Sequence, residues 1–242
     1  MLAIIRKELI QFFNSVTAYL VMAVFLAMTG LFLWILPGNI LDEGYASLAP
    51  FFEIAPWVLL FLVPALTMRF VAEERQLGTY EILATGSVSE RWILWGKFIA
   101  GLILTMAALA PTAIYFATIY YLAYPMGNVD IAGVVGSYVG LMFLVSAYLA
   151  MGILASSLSA NQVVAFVIGA LFIFMFYSLF DWLRAFTTFS SLDALLEYIG
   201  MQSHYISLSR GIIDSRDVIY FLSLTVLSME LALWSTERRK WQ

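Results

Sequence analysis

The chain has 242 residues, no cysteine and a single histidine, His204. The first absence excludes disulfides, thiolate metal sites and cysteine nucleophiles together; the second argues against a histidine-built metal centre or proton relay. Charge is also scarce. Only 12% of the residues are Asp, Glu, Lys or Arg, and no basic patch suited to nucleic acid stands out. A nucleotide-binding loop is missing too. The one Gly-Lys pair, Gly96-Lys97, has Arg91 where a phosphate loop places its first glycine, and Phe98 where Ser or Thr would follow. The chain itself is therefore expected not to be an enzyme and to carry no cofactor. A membrane protease would need a serine facing a histidine inside a span, and His204 lies in a polar segment, where it reads as a surface or interfacial residue rather than a ligand.

What is abundant is apolar surface. Hydrophobic side chains make up 63% of the chain and its mean hydropathy is +0.93, far beyond a soluble domain of this size. A hydrocarbon core about 30 Å thick needs roughly 20 apolar residues per helix. Six such stretches are expected, at about 16–36, 53–72, 92–121, 131–155, 163–180 and 218–236. The expected fold is thus all-α, a single polytopic domain over 1–242 with short loops. The first stretch exceeds the apolar region of a cleaved signal and is expected to stay in the mature protein. Residues 1–14 gather Ile4, Ile5, Leu9, Phe12 and Phe13 on one side, which predicts an interfacial helix or a charged lead-in to the first span.

Prolines 56 and 64 predict a kink or break in the second span, with neighbouring helices satisfying the freed carbonyls, and Pro111 predicts one midway along the third. Gly136 and Gly140 form a small-residue face on the fourth, suited to close packing within the protomer or to a subunit interface. The polar segment 181–217 contains a short amphipathic helix around Leu192–Ile199 and a turn at Ser209–Gly211.

Basic residues set the orientation. Arg6, Lys7, Arg69, Arg75, Arg91, Lys97, Arg238, Arg239 and Lys240, nine of the twelve, fall on one side, which places both termini in the cytoplasm and segment 181–217 outside. Arg69 and Arg91 read as snorkelling anchors, and Glu230 as a structural ion-pair partner for Arg6 or Lys97. On the cytoplasmic side a charged island, 73–97, interrupts the apolar chain. Thr79 is placed to cap a short helix with Glu81 in its first turn; Gly86 suits its end, and Ser87 to Glu90 reads S-x-x-E, a capping box for the next helix. Such a helix, with Tyr80, Ile82 and Leu83 among charges, either docks into a groove on a partner or folds back on the membrane surface.

The run Glu73-Glu74-Arg75-x-x-Gly78-Thr79-x-Glu81-x-Leu83-x-Thr85, followed by Gly96-Lys97, resembles the first cytoplasmic loop of the ABC-2 type export permeases. The tail with Arg238, Arg239 and Trp241 is similar as well, and the stretch Gly211 to Phe221 resembles the permeases associated with bacterial gliding motility. Many of those have proline where Ser87 stands, so a side-chain cap replaces a fixed backbone angle here. The resemblance implies a permease subunit in the bacterial cytoplasmic (inner) membrane. It implies that 73–85 holds a coupling helix seated on a separate ABC ATPase, which would bind ATP and Mg. Glu73, Glu74, Arg75 and Glu81 would be charged contacts or intraloop braces, Gly78 the hinge with Thr79 beside it, and Tyr80, Ile82 and Leu83 the apolar contacts. Further implied partners are a second membrane subunit, a copy or a different chain, and an extracytoplasmic protein at 181–217.

Two function classes follow. One is half of an ATP-driven exporter; the other is a mechanical or assembly module that passes ATP-driven motion to an extracytoplasmic partner without moving a solute. Spans one, two and five hold few polar residues beyond Thr17, Thr29, Thr67 and Ser178, which disfavours a wide hydrophilic pore and leaves lipid-like cargo or none. A secondary transporter would need paired discontinuous helices in two repeat halves, and no such symmetry is visible.

Overall fold

The computed structural model describes residues 1–80, 89–184 and 190–238. Glu81, Ile82, Leu83, Thr85, Gly86 and Ser87 lie outside the described residues, as do Arg239, Lys240 and Trp241. Every described element is helical. Helix α1 (Leu2–Phe13) leads into α2 (Val16–Trp34), and a one-turn helix α3 (Ile40–Glu43) follows. Then come α4 (Ala49–Gln76), α5 (Glu90–Leu122), α6 (Ile131–Leu158) and α7 (Gln162–Arg184). Two short helices, α8 (Ser190–Ile199) and α9 (Met201–Ser209), precede α10 (Ser215–Arg238).

Among the described residues five helices, α4 to α7 and α10, are each long and apolar enough to cross a membrane. The stretch expected as the first span differs: it passes the same test only together with α1, as a pair bent by 71°. This is the architecture of a multi-pass membrane protein. Its central post is α6, with 72% of its most apolar window buried against 28% in α7. Small residues are what let α6 sit there. A Cβ on Gly136 would come within 2.7 Å of the Gly211 backbone, and one on Gly140 within 2.5 Å of Leu208. The small-residue face expected on this helix is therefore spent inside the chain, where close backbone approach replaces the hydrophobic effect that lipid cannot supply.

The expected break in α4 does not occur at its prolines: Ala49–Thr67 is continuous α-helix through Pro56 and Pro64. Pro56 has no N–H to offer the Phe52 carbonyl one turn back, and the Tyr205 hydroxyl of α9 donates to that carbonyl instead, at 2.8 Å. The irregular turn lies further on, at Arg69–Glu73, which is π-helical. In α5 the expected disturbance is present, a tight turn at Ala110–Thr112 around Pro111.

Helix α9 was not expected. Its Met201, Tyr205 and Leu208 are buried on one face, wedged against α6, α4 and α10 at the end of the molecule opposite the island. The polar residues between them, Gln202, Ser203, His204 and Ser207, hide that stripe in the sequence.

Candidate functional site

The island is built on the last turns of α4. An extra residue in a helical turn leaves backbone groups out of step with the i→i−4 ladder, and a neighbour must compensate. Ser156 of α6, fully buried, does this at the π turn: its Oγ accepts from the Val71 and Ala72 amides at 3.1 and 3.0 Å and donates to the Met68 carbonyl at 3.2 Å. Ser156→Ala keeps the size of the site and removes both functions. It is expected to cost about 1–3 kcal/mol and to speed amide exchange at Val71 and Ala72 in particular, measured by hydrogen exchange in lipid nanodiscs.

The π turn delivers Glu74 to the interior. Its carboxylate, 7% exposed as a residue, meets Lys97 of α5 at 2.9 Å and Lys7 of α1 at 2.5 Å. Lys97, 1% exposed, also bonds Glu8 of α1 at 2.7 Å, and Lys7 lies 3.7 Å from Glu8. Two ammonium groups and two carboxylates thus share one site of zero net charge where three helices meet. Burial lowers the affinity of Lys7 for its proton, but its hydrogen bond to Glu74 and the nearby Glu8 more than offset this, leaving its pKa above the ordinary lysine value. Charges taken out of water are tolerated only in such mutual pairing. Ile4, one turn before Glu8, packs where a Cβ on Gly96 would stand, at 3.1 Å, so α1 and α5 are in close contact just beside the charges.

Beyond the cluster the chain turns back. Arg75 donates to the Ser157 carbonyl at the end of α6, a carbonyl that Ser235 of α10 also reaches at 3.2 Å, and its guanidinium stands 5.2 Å over the Tyr80 ring. Gly78 takes φ +69° and closes α4, its N–H bonding the Arg75 carbonyl at 3.1 Å. A helical turn begins at Thr79 itself, whose hydroxyl donates to the Glu74 carbonyl at 3.2 Å. Tyr80, expected to face a partner, is 6% exposed. Burial, with the charge of Glu90, pushes its phenol up to about 12, against the opposing effects of Thr236 and Arg75. The exposed surface of the island among the described residues is instead the turn 76–79, with Leu77 68% exposed at its tip.

A scan against protein-family models finds no match for this chain, and a search of curated proteins finds none either.

The remaining charges are placed as follows. Glu73 pairs with Arg69 at 3.6 Å, and Arg69 reaches the Ser15 hydroxyl between α1 and α2 at 3.3 Å. Glu230 is paired with Arg91 at 3.1 Å rather than with Arg6 or Lys97, because Lys97 is already enclosed by Glu8 and Glu74. Arg91 thus links α5 and α10 through a surface ion pair. Among the described residues no group of three or more His, Asp or Glu is placed to hold a metal ion. Sequence reasoning missed Lys7, Glu8, Ser156 and Leu77. One signal was available: Glu8 follows Ile4 by four residues and so lies on the same face of α1 as a buried isoleucine, where a carboxylate requires a cation opposite.

What this arrangement can do is mechanical. An exposed turn stands on a base in which α1, α4 and α5 are joined by buried charge, while Arg75 and Ser156 tie the same base to α6. The turn is thereby connected, through this base, to α1, α5 and α6.

Proposed function

We propose that this chain is a membrane-spanning permease subunit of an ATP-driven ABC-2 type export complex in the bacterial cytoplasmic membrane, of the gliding-motility-associated type. It acts with six spans, both termini and the island in the cytoplasm, and a second membrane subunit beside it. Separate ABC ATPase subunits bind ATP and Mg and seat on the 73–85 loop. The observation that carries this reading is the exposed turn 76–79 rising from the charge-locked base of α4. In this reading Leu77, with the loop residues that follow, is the contact, while Glu74, Arg75 and Tyr80 are braces.

The test is purification with native partners and assay of vanadate-sensitive ATP hydrolysis. Leu77→Glu places a charge at the contact, and Gly78→Pro imposes a backbone angle opposed to the observed φ of +69°. Each is expected to lower co-purifying ATPase activity by about tenfold or more, the worth of about 1.4 kcal/mol of contact, while the chain still purifies as a folded species. Wild-type ATPase recovery in both variants, or no ATPase with the wild type, would overturn the proposal.

A second reading, the mechanical module without cargo, is favoured by how the polar residues of the helices are used. Thr29 bonds the Phe25 carbonyl at 2.8 Å and Thr67 the Val63 carbonyl at 3.0 Å, each within its own helix. The groove of about 610 Å³ between α2, α4 and α7 is walled by side chains such as Val24, Phe25, Trp57, Phe61 and Phe166. Such a lining suits an acyl chain or another apolar helix and not a hydrophilic solute.

A further inference from the structure

The groove between α2, α4 and α7 has a direction and a length. Leu20 and Ala65 line its end nearest the island, and Phe32 and Ile54 line the far end. At 1.5 Å per residue these walls run for about 18 Å along α2 and about 17 Å along α4. That is close to one leaflet of a hydrocarbon core about 30 Å thick. The groove is also narrow. Its volume of about 610 Å³ spread over that length leaves a mean cross-section of about 34 Å², under half that of a helix 10 Å across. An unbranched methylene chain fills such a space, whereas a helix seats only its side-chain tips in it.

The island end of the groove is polar. Arg69 lies one turn beyond Ala65 and is the first charged residue of α4 after Glu53. Its guanidinium reaches the Ser15 hydroxyl at 3.3 Å, where α1 gives way to α2, and stands 3.6 Å from Glu73, one turn further from the groove. That separation is longer than a hydrogen bond. Both side chains keep a face to the outside, at 35% and 22% exposure. The carboxylates beside them, Glu8 and Glu74, are already matched by Lys7 and Lys97. Along α4, from groove to island, the order is therefore apolar wall, cation, anion.

A phosphatidylethanolamine molecule has the complementary order of acyl chain, phosphate and primary ammonium. We propose that the groove and the Arg69–Glu73 pair together form a site for one phosphatidylethanolamine from the leaflet on the island's side. One acyl chain lies between α2 and α4, the phosphate accepts from the Arg69 N–H groups that Ser15 does not use, and the ammonium donates to Glu73. Other lipids meet only part of the site. Phosphatidylglycerol brings a phosphate but leaves Glu73 facing hydroxyl groups; phosphatidylcholine has no N–H to donate, and diacylglycerol carries neither charge. An acyl chain leaves other lipid to enter the groove, so packing holds it there while the charged pair selects the headgroup. The site requires no ATPase on the island and is independent of the function proposed above.

The test uses full-length protein purified in dodecyl maltoside and stripped of lipid. It is to be mixed with equal amounts of phosphatidylethanolamine, phosphatidylglycerol, phosphatidylcholine and diacylglycerol with the same acyl chains, and the molecules retained per chain are counted by native mass spectrometry. One phosphatidylethanolamine is expected to be retained at about tenfold preference over each competitor. Arg69→Gln is expected to abolish that preference, and Glu73→Gln to shift it toward phosphatidylglycerol. Val24→Trp, at an exposed position of the α2 wall, fills the groove and is expected to lower retention of every phospholipid. With a diazirine on the acyl chain, wild-type cross-links are expected on Val24 and Phe61 and not on Val167, an exposed α7 position outside the groove. Equal retention of phosphatidylethanolamine and phosphatidylglycerol would overturn the proposal, as would cross-links at Val167 equal to those at Val24. So would disulfide pairing of two copies of a Val24→Cys chain, which has no other cysteine, because a second copy would then cover the groove. If Arg69→Gln fails to fold, the wild-type competition and cross-link map decide alone.

Discussion

Lys97→Met is expected to lower the stability of the chain by about 3–5 kcal/mol, the cost of removing one partner from a buried ion pair. The side chain it replaces is 1% exposed and holds Glu8 at 2.7 Å and Glu74 at 2.9 Å. Without it the two carboxylates share only Lys7, which is 44% exposed and bridges from the rim. The methionine fills the volume of the lysine stem, so the loss is electrostatic and not a cavity. Removing the charges together tests this. Glu8→Gln with Glu74→Gln and Lys97→Met leaves no uncompensated carboxylate, and most of the loss is expected to be recovered, since a buried ion pair exchanged for matched neutral groups is often nearly neutral. Lys97→Arg keeps the charge but must fit a larger planar head into a filled site, and should fall between. The measurement is unfolding by SDS in mixed micelles. A single substitution at wild-type stability, or a triple variant no better than Lys97→Met, would show that the cluster does not hold the three helices.

Gly211→Ala is expected to cost about 2–5 kcal/mol, because two penalties fall on one residue. Gly211 has φ +78°, where a side chain is strained. Its missing Cβ would also stand 2.6 Å from the Gly133 Cα and 2.8 Å from the Gly133 carbonyl oxygen. Both neighbours are backbone, so no rotamer change relieves the clash; the loop must move off α6, taking Leu208 and α9 with it. Gly44 is the control: φ +69° and nothing within 4 Å of a Cβ. Gly44→Ala should therefore carry only the conformational part, about 1–2 kcal/mol. Equal losses at the two positions in the same SDS titration would mean that the close approach of Gly133 and Gly211 contributes nothing.

The long helices were legible because each is a local property of composition. The expected 92–121, 131–155, 163–180 and 218–236 became Glu90–Leu122, Ile131–Leu158, Gln162–Arg184 and Ser215–Arg238, each extended by its polar ends. Pro111 disturbs its helix as expected, since a missing N–H is felt within one turn. Pro56 and Pro64 do not break theirs. What spares Pro56 is the Tyr205 hydroxyl, 153 residues in sequence from the Phe52 carbonyl that it satisfies, on a helix too short and polar to be foreseen. The island shows the same division. Gly78 as its turning point follows from glycine's access to positive φ. That Glu74 and Tyr80 face inward while Leu77 faces out depends on the π turn at 69–73, and that turn depends on Ser156.

By itself, the sequence determined that this is a helical membrane protein with a charged island between two long apolar helices. Hydropathy, proline chemistry and the left-handed conformation of glycine all act within a few turns of chain. Only the tertiary structure decided which charges are partners. Lys97 and Glu8 are 89 residues apart and carry no mutual mark in the sequence. Each would be costly alone in the interior, and the fold is the arrangement that brings them within 2.7 Å of each other.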